Sequence, residues 1–128
     1  DQTSQCSFSY SGHLKLNAYH SDKIACDYQL YENDKPYNWH HMLNKADFIL
    51  AELIGNELLL EEDIVFQHLW AIREIQKKLG LTIHSTITYE LDSTDNLIHL
   101  KSGEYHLYSS LTCDSKKTNH CIAIGFKV

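Results

Sequence analysis

Glu61 to Gly80, EEDIVFQHLWAIREIQKKLG, is the one segment whose start, stop and periodicity agree. Glu61, Glu62 and Asp63 open it, Lys77 and Lys78 close it, and Gly80 follows. Those charges complement the helix dipole and the glycine suits a left-handed cap, so the segment reads as a helix of about five turns. At about 100° per residue, Ile64, His68, Ile72, Ile75 and Leu79 form one stripe with Val65 and Leu69 at its flank. Phe66 and Trp70 fall on roughly the opposite side. A helix apolar on two sides needs two covers, and the second comes from the same chain, a second copy or another protein.

Upstream of this helix, Pro36 marks the entry to another, from Asn38 to Ile54, with Trp39, Met42, Leu43, Ala46, Ile49, Leu50 and Leu53 on one stripe. Gly55 and Asn56 are expected to end it, and Glu57 to Leu60 to link the helices as an antiparallel or steeply crossed pair. Before them, Cys6, Phe8, Tyr10, Leu14, Leu16 and Ala18 alternate as one strand, bent at Ser11-Gly12. Ile24, Cys26, Tyr28 and Leu30 alternate as a second strand, completing an N-terminal hairpin.

Downstream, Leu81 to Leu91 reads as a half-buried strand, and Asp92 to Asn96 as a loop that turns it back. Leu97 to Lys101 and Glu104 to Cys113 flank a Ser102-Gly103 turn, whose simplest register sets Lys101 opposite Glu104, Leu100 opposite Tyr105 and His99 opposite His106. Cys121 to Val128 forms the last strand. The expected class is α+β: an N-terminal β-hairpin, two consecutive helices, then an antiparallel meander packed on them, as a single domain spanning residues 1–128. A cystatin-like or nuclear-transport-factor-like sheet wrapped on a helix is the alternative.

The chain of 128 residues is 43% apolar, enough for a real core, and no apolar run approaches the roughly 20 residues of a membrane span. Its net charge of −6, with 11 scattered basic residues, argues against nucleic acid or an anionic membrane as partner and favours a basic one. A start at Asp1 without Met suggests an exported form from which a signal peptide has been removed. The absence of any Asn-x-Ser/Thr site points to a bacterial setting, the periplasm. Cys6, Cys26, Cys113 and Cys121 allow three pairings. The favoured one joins Cys6 to Cys26 and Cys113 to Cys121, each bridge bracketing a turn, against the alternative of four reduced core thiols.

No GxSxG, HExxH, P-loop or GxGxxG occurs, so no catalytic residue and no cofactor is assigned. His99 and His106 are the best pair for zinc, with Thr88 or His84 nearby, but no third strong ligand has a defined spacing and no metal site is assigned. The adjacent His40 and His41 point about 100° apart and do not share an ion. Two surface sets remain. Phe66, Trp70 and Arg73 form an aromatic and arginine patch suited to a homodimer or partner contact, unless they are core. Asp92, Asp95, Asn96 and Glu104, in two acidic turns at opposite ends of the sheet, suit a preorganised plug for the cleft of a cationic enzyme.

With its acidic balance, the cysteine segments CSFSY and LTCDSKKTNHC, and helix and sheet without active-site motifs, the chain resembles small periplasmic immunity proteins that guard against type VI secretion cell-wall effectors, and lysozyme inhibitors. The resemblance implies a non-catalytic protein that binds a secreted muramidase-type hydrolase and occludes its cleft, with a homodimer as a further expectation. The competing expectation is a secreted small-molecule-binding or enzymatic α+β domain with an unrecognised carboxylate or histidine site.

Overall fold

The computed structural model describes the backbone of the chain except residues 1–3, 12–13, 21–22, 33–34, 83–84 and 128, and side chains from Lys23 onward. The class is α+β. A five-stranded antiparallel sheet runs in the order β3-β7-β6-β5-β4, and a separate two-stranded sheet pairs β1 with β2. The strands are β1 Ser4–Ser11, β2 Leu14–His20, β3 Ile24–Glu32, β4 Thr88–Tyr89, β5 Ile98–Ser102, β6 Tyr105–Cys113 and β7 Thr118–Lys127. The helices are α1 Trp39–Met42, α2 Lys45–Leu58 and α3 Glu62–Lys78.

The helix read from Glu61 to Gly80 is α3, and its two covers both come from this chain. On one side it lies on the sheet: Gly125 of β7 sits where an added Cβ would lie 2.6 Å from Ile75 Cγ2 and 2.9 Å from Leu107 Cδ2, so only glycine permits the close approach. On the other side Phe66 packs against Trp39 and Phe48, with ring centroids 5.7 and 5.0 Å away. The end of α3 is the glycine cap expected: Gly80 has φ +79°, its N–H bonds Lys77 O, and Leu81 N–H reaches back to Gln76 O.

Six expectations need correction. The helix from Asn38 to Ile54 is two, broken at Leu43-Asn44. Asn44 caps α2 by accepting from Asp47 N–H at 2.9 Å, while the Asp47 carboxylate accepts from Asn44 N–H at 3.0 Å, a reciprocal box that starts a new helix. Asp47 also pairs with Arg73 of α3, tying the helices together in the interior. The break moves the buried stripe to Asp47, Ala51 and Ile54, leaving Ile49 and Leu53 facing out. Gly55 does not stop α2. Its missing side chain makes room for Leu60 O, 3.3 Å from where a Cβ would stand, and the left-handed turn falls on Leu59 at φ 55°.

The N-terminal hairpin is β1 with β2, Ser11 opposite Leu14, while β3 packs close to it but forms its ladder with β7 along its whole length. The strand expected from Leu81 to Leu91 shrinks to β4; Ile83 and His84 lie outside the described residues. The β5–β6 register is two residues off the expected one. Gly103, at φ +60°, takes the first central position of the two-residue loop, where a type II′ turn favours glycine. Leu100 therefore opposes Leu107, both fully buried, and Lys101 opposes His106.

No Cys113–Cys121 bridge forms. Cys113 is opposite Asn119 and Cys121 opposite Leu111, so the cysteines are diagonal neighbours, a separation of about 7–8 Å that a disulfide does not span. Cys121 is a buried free thiol. The loop between them is organised by Asp114, whose carboxylate accepts from Lys116 and Thr118 N–H at 2.8 and 3.0 Å. The expected Cys6–Cys26 pair involves the Cys6 side chain, which lies outside the described residues. Among the described residues no helix is long and apolar enough to cross a membrane.

Candidate functional site

Where the N-terminal half of α3 leaves the end of β6 and β7, a recess of about 590 Å³ opens, within the range of ligand pockets. Glu61, Asp63 and Asp95 stand around it. Gln67, His68 and Asn119 are buried in its floor, and Leu111 and Cys113 complete one wall. The polar floor exists because α3 places Gln67 and His68 over β6 and β7 at positions where those strands also carry polar residues, Ser109 and Asn119.

Hydrogen bonds tie that floor together. Cys121 S–H points to Gln67 O at 3.9 Å, its thiol pushed up to about 12 by burial and so kept protonated. Ser109 Oγ is hydrogen-bonded on both sides, 3.3 Å from Cys121 Sγ and 2.6 Å from Nδ1 of His68. Burial holds the pKa of His68 down to about 4, so the ring is neutral at pH 7. Asn119 Nδ2–H donates to Gln67 Oε1 at 2.9 Å, which leaves Asn119 Oδ1 as an acceptor and Gln67 Nε2 as a donor.

The acidic loop beside this recess is tied down by hydrogen bonds. Ser93 Oγ donates to His99 O at 3.0 Å and accepts from His99 N–H at 2.9 Å; Thr94 and Leu97 exchange backbone bonds of 2.9 and 3.3 Å. Asp92 accepts from His99 Nδ1–H at 2.7 Å, and Asp95 and Asn96 project as the exposed tip. Glu104, in the turn at the other end of β5, pairs with Lys127 at 2.9 Å.

On the sheet face turned away from α3, histidines are held by carboxylates. His99 Nε2 meets His106 Nδ1 at 2.9 Å, and His99 stacks on Tyr108 with centroids 4.3 Å apart. A parallel chain runs from Asp114 through His120, 2.8 Å away, to the Tyr28 hydroxyl at 2.6 Å. The His120 hydrogen bond is the main cause holding the Asp114 carboxyl below its usual range, while desolvation and then the charge of Asp114 raise the Tyr28 hydroxyl. Both ring nitrogens of His99 are engaged, and no three His, Cys, Asp or Glu groups among the described residues converge as a metal cage.

The aromatic patch is divided between core and surface. Phe66 is 3% exposed in the core, and Trp70 and Arg73 line a second recess of about 360 Å³ between α1, α2 and α3, with Lys77 5.9 Å over the Trp70 ring. The large apolar residues that do face out on α2 are Ile49 and Leu53. Sequence reasoning named Asp95 and missed Gln67, His68 and Asn119. Their one signal was a run of polar residues, QH in α3 and NH in β7, at positions that otherwise read as apolar stripe or strand. Comparison with family models, curated proteins and solved structures finds no match.

Proposed function

We propose that this is a non-catalytic periplasmic binding protein of the immunity or inhibitor kind, which neutralises a cationic muramidase-type hydrolase by placing the Asp92–Asn96 loop in its cleft. What supports the reading is the locking of that loop. Ser93 and Asp92 are both bonded to His99, so Asp95 and Asn96 are presented with little freedom left to lose, and a preorganised acidic tip favours fast, tight association with a basic surface. A second copy of the chain is proposed as a further partner on the outward side of α2, where Ile49 is 64% and Leu53 45% exposed; sedimentation of the wild type against Ile49→Lys tests it, and a monomer at all concentrations refutes it.

The plug is tested by inhibition assays against purified cationic muramidases at low and high salt. Suppressed turnover that weakens as salt rises, and falls at least about tenfold with Asp95→Lys, is the expected result. A panel left fully active by the wild-type protein refutes the reading.

A further inference from the structure

We infer that Asp92, His99 and His106 form an acid-sensitive latch at the base of the Asp92–Asn96 loop. It holds while the two rings share at most one positive charge and opens when both are charged. The latch stands on the geometry of the rings; its use, release of a bound partner in acid, rests on the plug proposed above.

The proton count follows from the contacts. A carboxylate only accepts, so the 2.7 Å contact with Asp92 puts a hydrogen on His99 Nδ1. His99 Nε2 lies 2.9 Å from His106 Nδ1, a contact with room for one hydrogen between the nitrogens. In the neutral pair that hydrogen belongs to His106 Nδ1, because His99 has given its own to Asp92. A first added proton leaves His106 with a hydrogen on Nε2, and both contacts survive whichever ring owns the bridging hydrogen. A second sets N–H against N–H, and the rings must part.

His120 supplies the contrast. It too stands between a carboxylate and a polar group, Asp114 at 2.8 Å and the Tyr28 hydroxyl at 2.6 Å. A hydroxyl both donates and accepts, so it turns to receive from a charged His120 and nothing breaks.

The surroundings decide which ring yields. His99 is 6% exposed and stacked on Tyr108, and its loop neighbours Asp92 and Glu90 are the carboxylates that act on the Tyr108 hydroxyl. His106 is half-buried, with Lys101 directly across on the same face and the uncharged Phe126 ring on the β7 side. A charged His106 therefore stands between Lys101 and a charged His99, and it turns out to water. His99 then loses a support, and the loop is built on His99: its ring holds Asp92, its N–H and carbonyl hold Ser93 Oγ, and its carbonyl also receives Glu90 N–H.

The test is a ¹⁵N NMR titration of the whole chain downward from pH 7.5. It follows the ring nitrogens of His99, His106 and His120 and the hydrogen-exchange protection of the Ser93, Leu97 and His99 amides, with Leu100 and Leu107 as core reference. Both His99 and His106 are expected to start as Nδ1–H tautomers. As the second of them charges, loop protection should fall at least about fivefold relative to the core, whereas charging of His120 changes nothing. His106→Gln, whose amide still donates to His99 Nε2 but takes no proton, should keep the loop protected over the same range. A neutral His106 carrying its hydrogen on Nε2, a second charge that leaves the loop unchanged, core amides that open first, or the same loss in His106→Gln overturns the latch. No hydrolase enters the measurement, so the latch and the plug fail separately.

Discussion

The two faces of the five-stranded sheet treat the same residue type in opposite ways. Under α3, His68 has no carboxylate beside it and is kept neutral by burial, hydrogen-bonded only to Ser109. On the far face, His99 and His120 each hold an exposed carboxylate, Asp92 and Asp114, at 2.7 and 2.8 Å. Histidine is therefore a neutral buried ring on one side and a partner for surface charge on the other. The difference follows from what covers each face, not from the local sequence around the residue.

The largest effect expected from breaking that contrast is acid sensitivity traced to the covered face. An unfolded histidine takes up a proton near pH 6.5, whereas folded His68 does so near pH 4, so between these values the unfolded chain binds more protons. Stability should be fully present above about pH 6.5 and fall as pH drops toward 4, by about 3 kcal/mol from this residue. Urea denaturation of wild type and His68→Gln at pH 7 and pH 4.5 checks it: the variant should lose less stability over that interval, and equal losses would remove His68 from the account.

Second in size is the close contact itself. Gly125→Ala is expected to destabilise by about 2 kcal/mol, because the new methyl meets Ile75, Leu107 and Leu79 within 3.0 Å in a packed layer. An unchanged denaturation midpoint would mean that α3 lies farther from β7 than described. Smallest is the far face: Asp92→Asn, at a side chain 69% exposed, should cost less than about 1 kcal/mol of global stability. A larger loss would show that the Asp92–His99 contact acts as core and erase the contrast.

Where structure is set locally, it could be read from the chain. The caps and charges of α3 lie within its own segment, and the alternation of β3, β6 and β7 follows from their half-buried faces. The break before α2 was equally local, in the pairing of Asn44 with Asp47, but was overlooked because the apolar spacing of Trp39 to Leu53 runs straight through it. What the chain did not disclose depends on distant partners. Whether β3 joins its sequence neighbours or β7 turns on long-range pairing, and the shrinking of Leu81–Leu91 to two ladder residues has the same origin. The candidate site is less legible still: Gln67, His68 and Asn119 become one polar floor only after α3 lies across β7. Asp95 was readable as an exposed acid, but nothing near it in sequence placed it beside Glu61 and Asp63.

The pairing of β3 with β7 also bears on how the chain is made. Tyr28 and His120 meet across 92 positions, and β7 follows every other element in the sequence. During synthesis β3 therefore waits for its ladder until β7 has emerged, and α3 lacks the β7 part of its floor in the interval. Sheets closed by such remote strands fold on a time scale of roughly milliseconds to seconds, and the waiting edge is open to pairing with other nascent chains. A chaperone that shields β3 would thus matter more to the yield of this protein than to the stability of the finished fold.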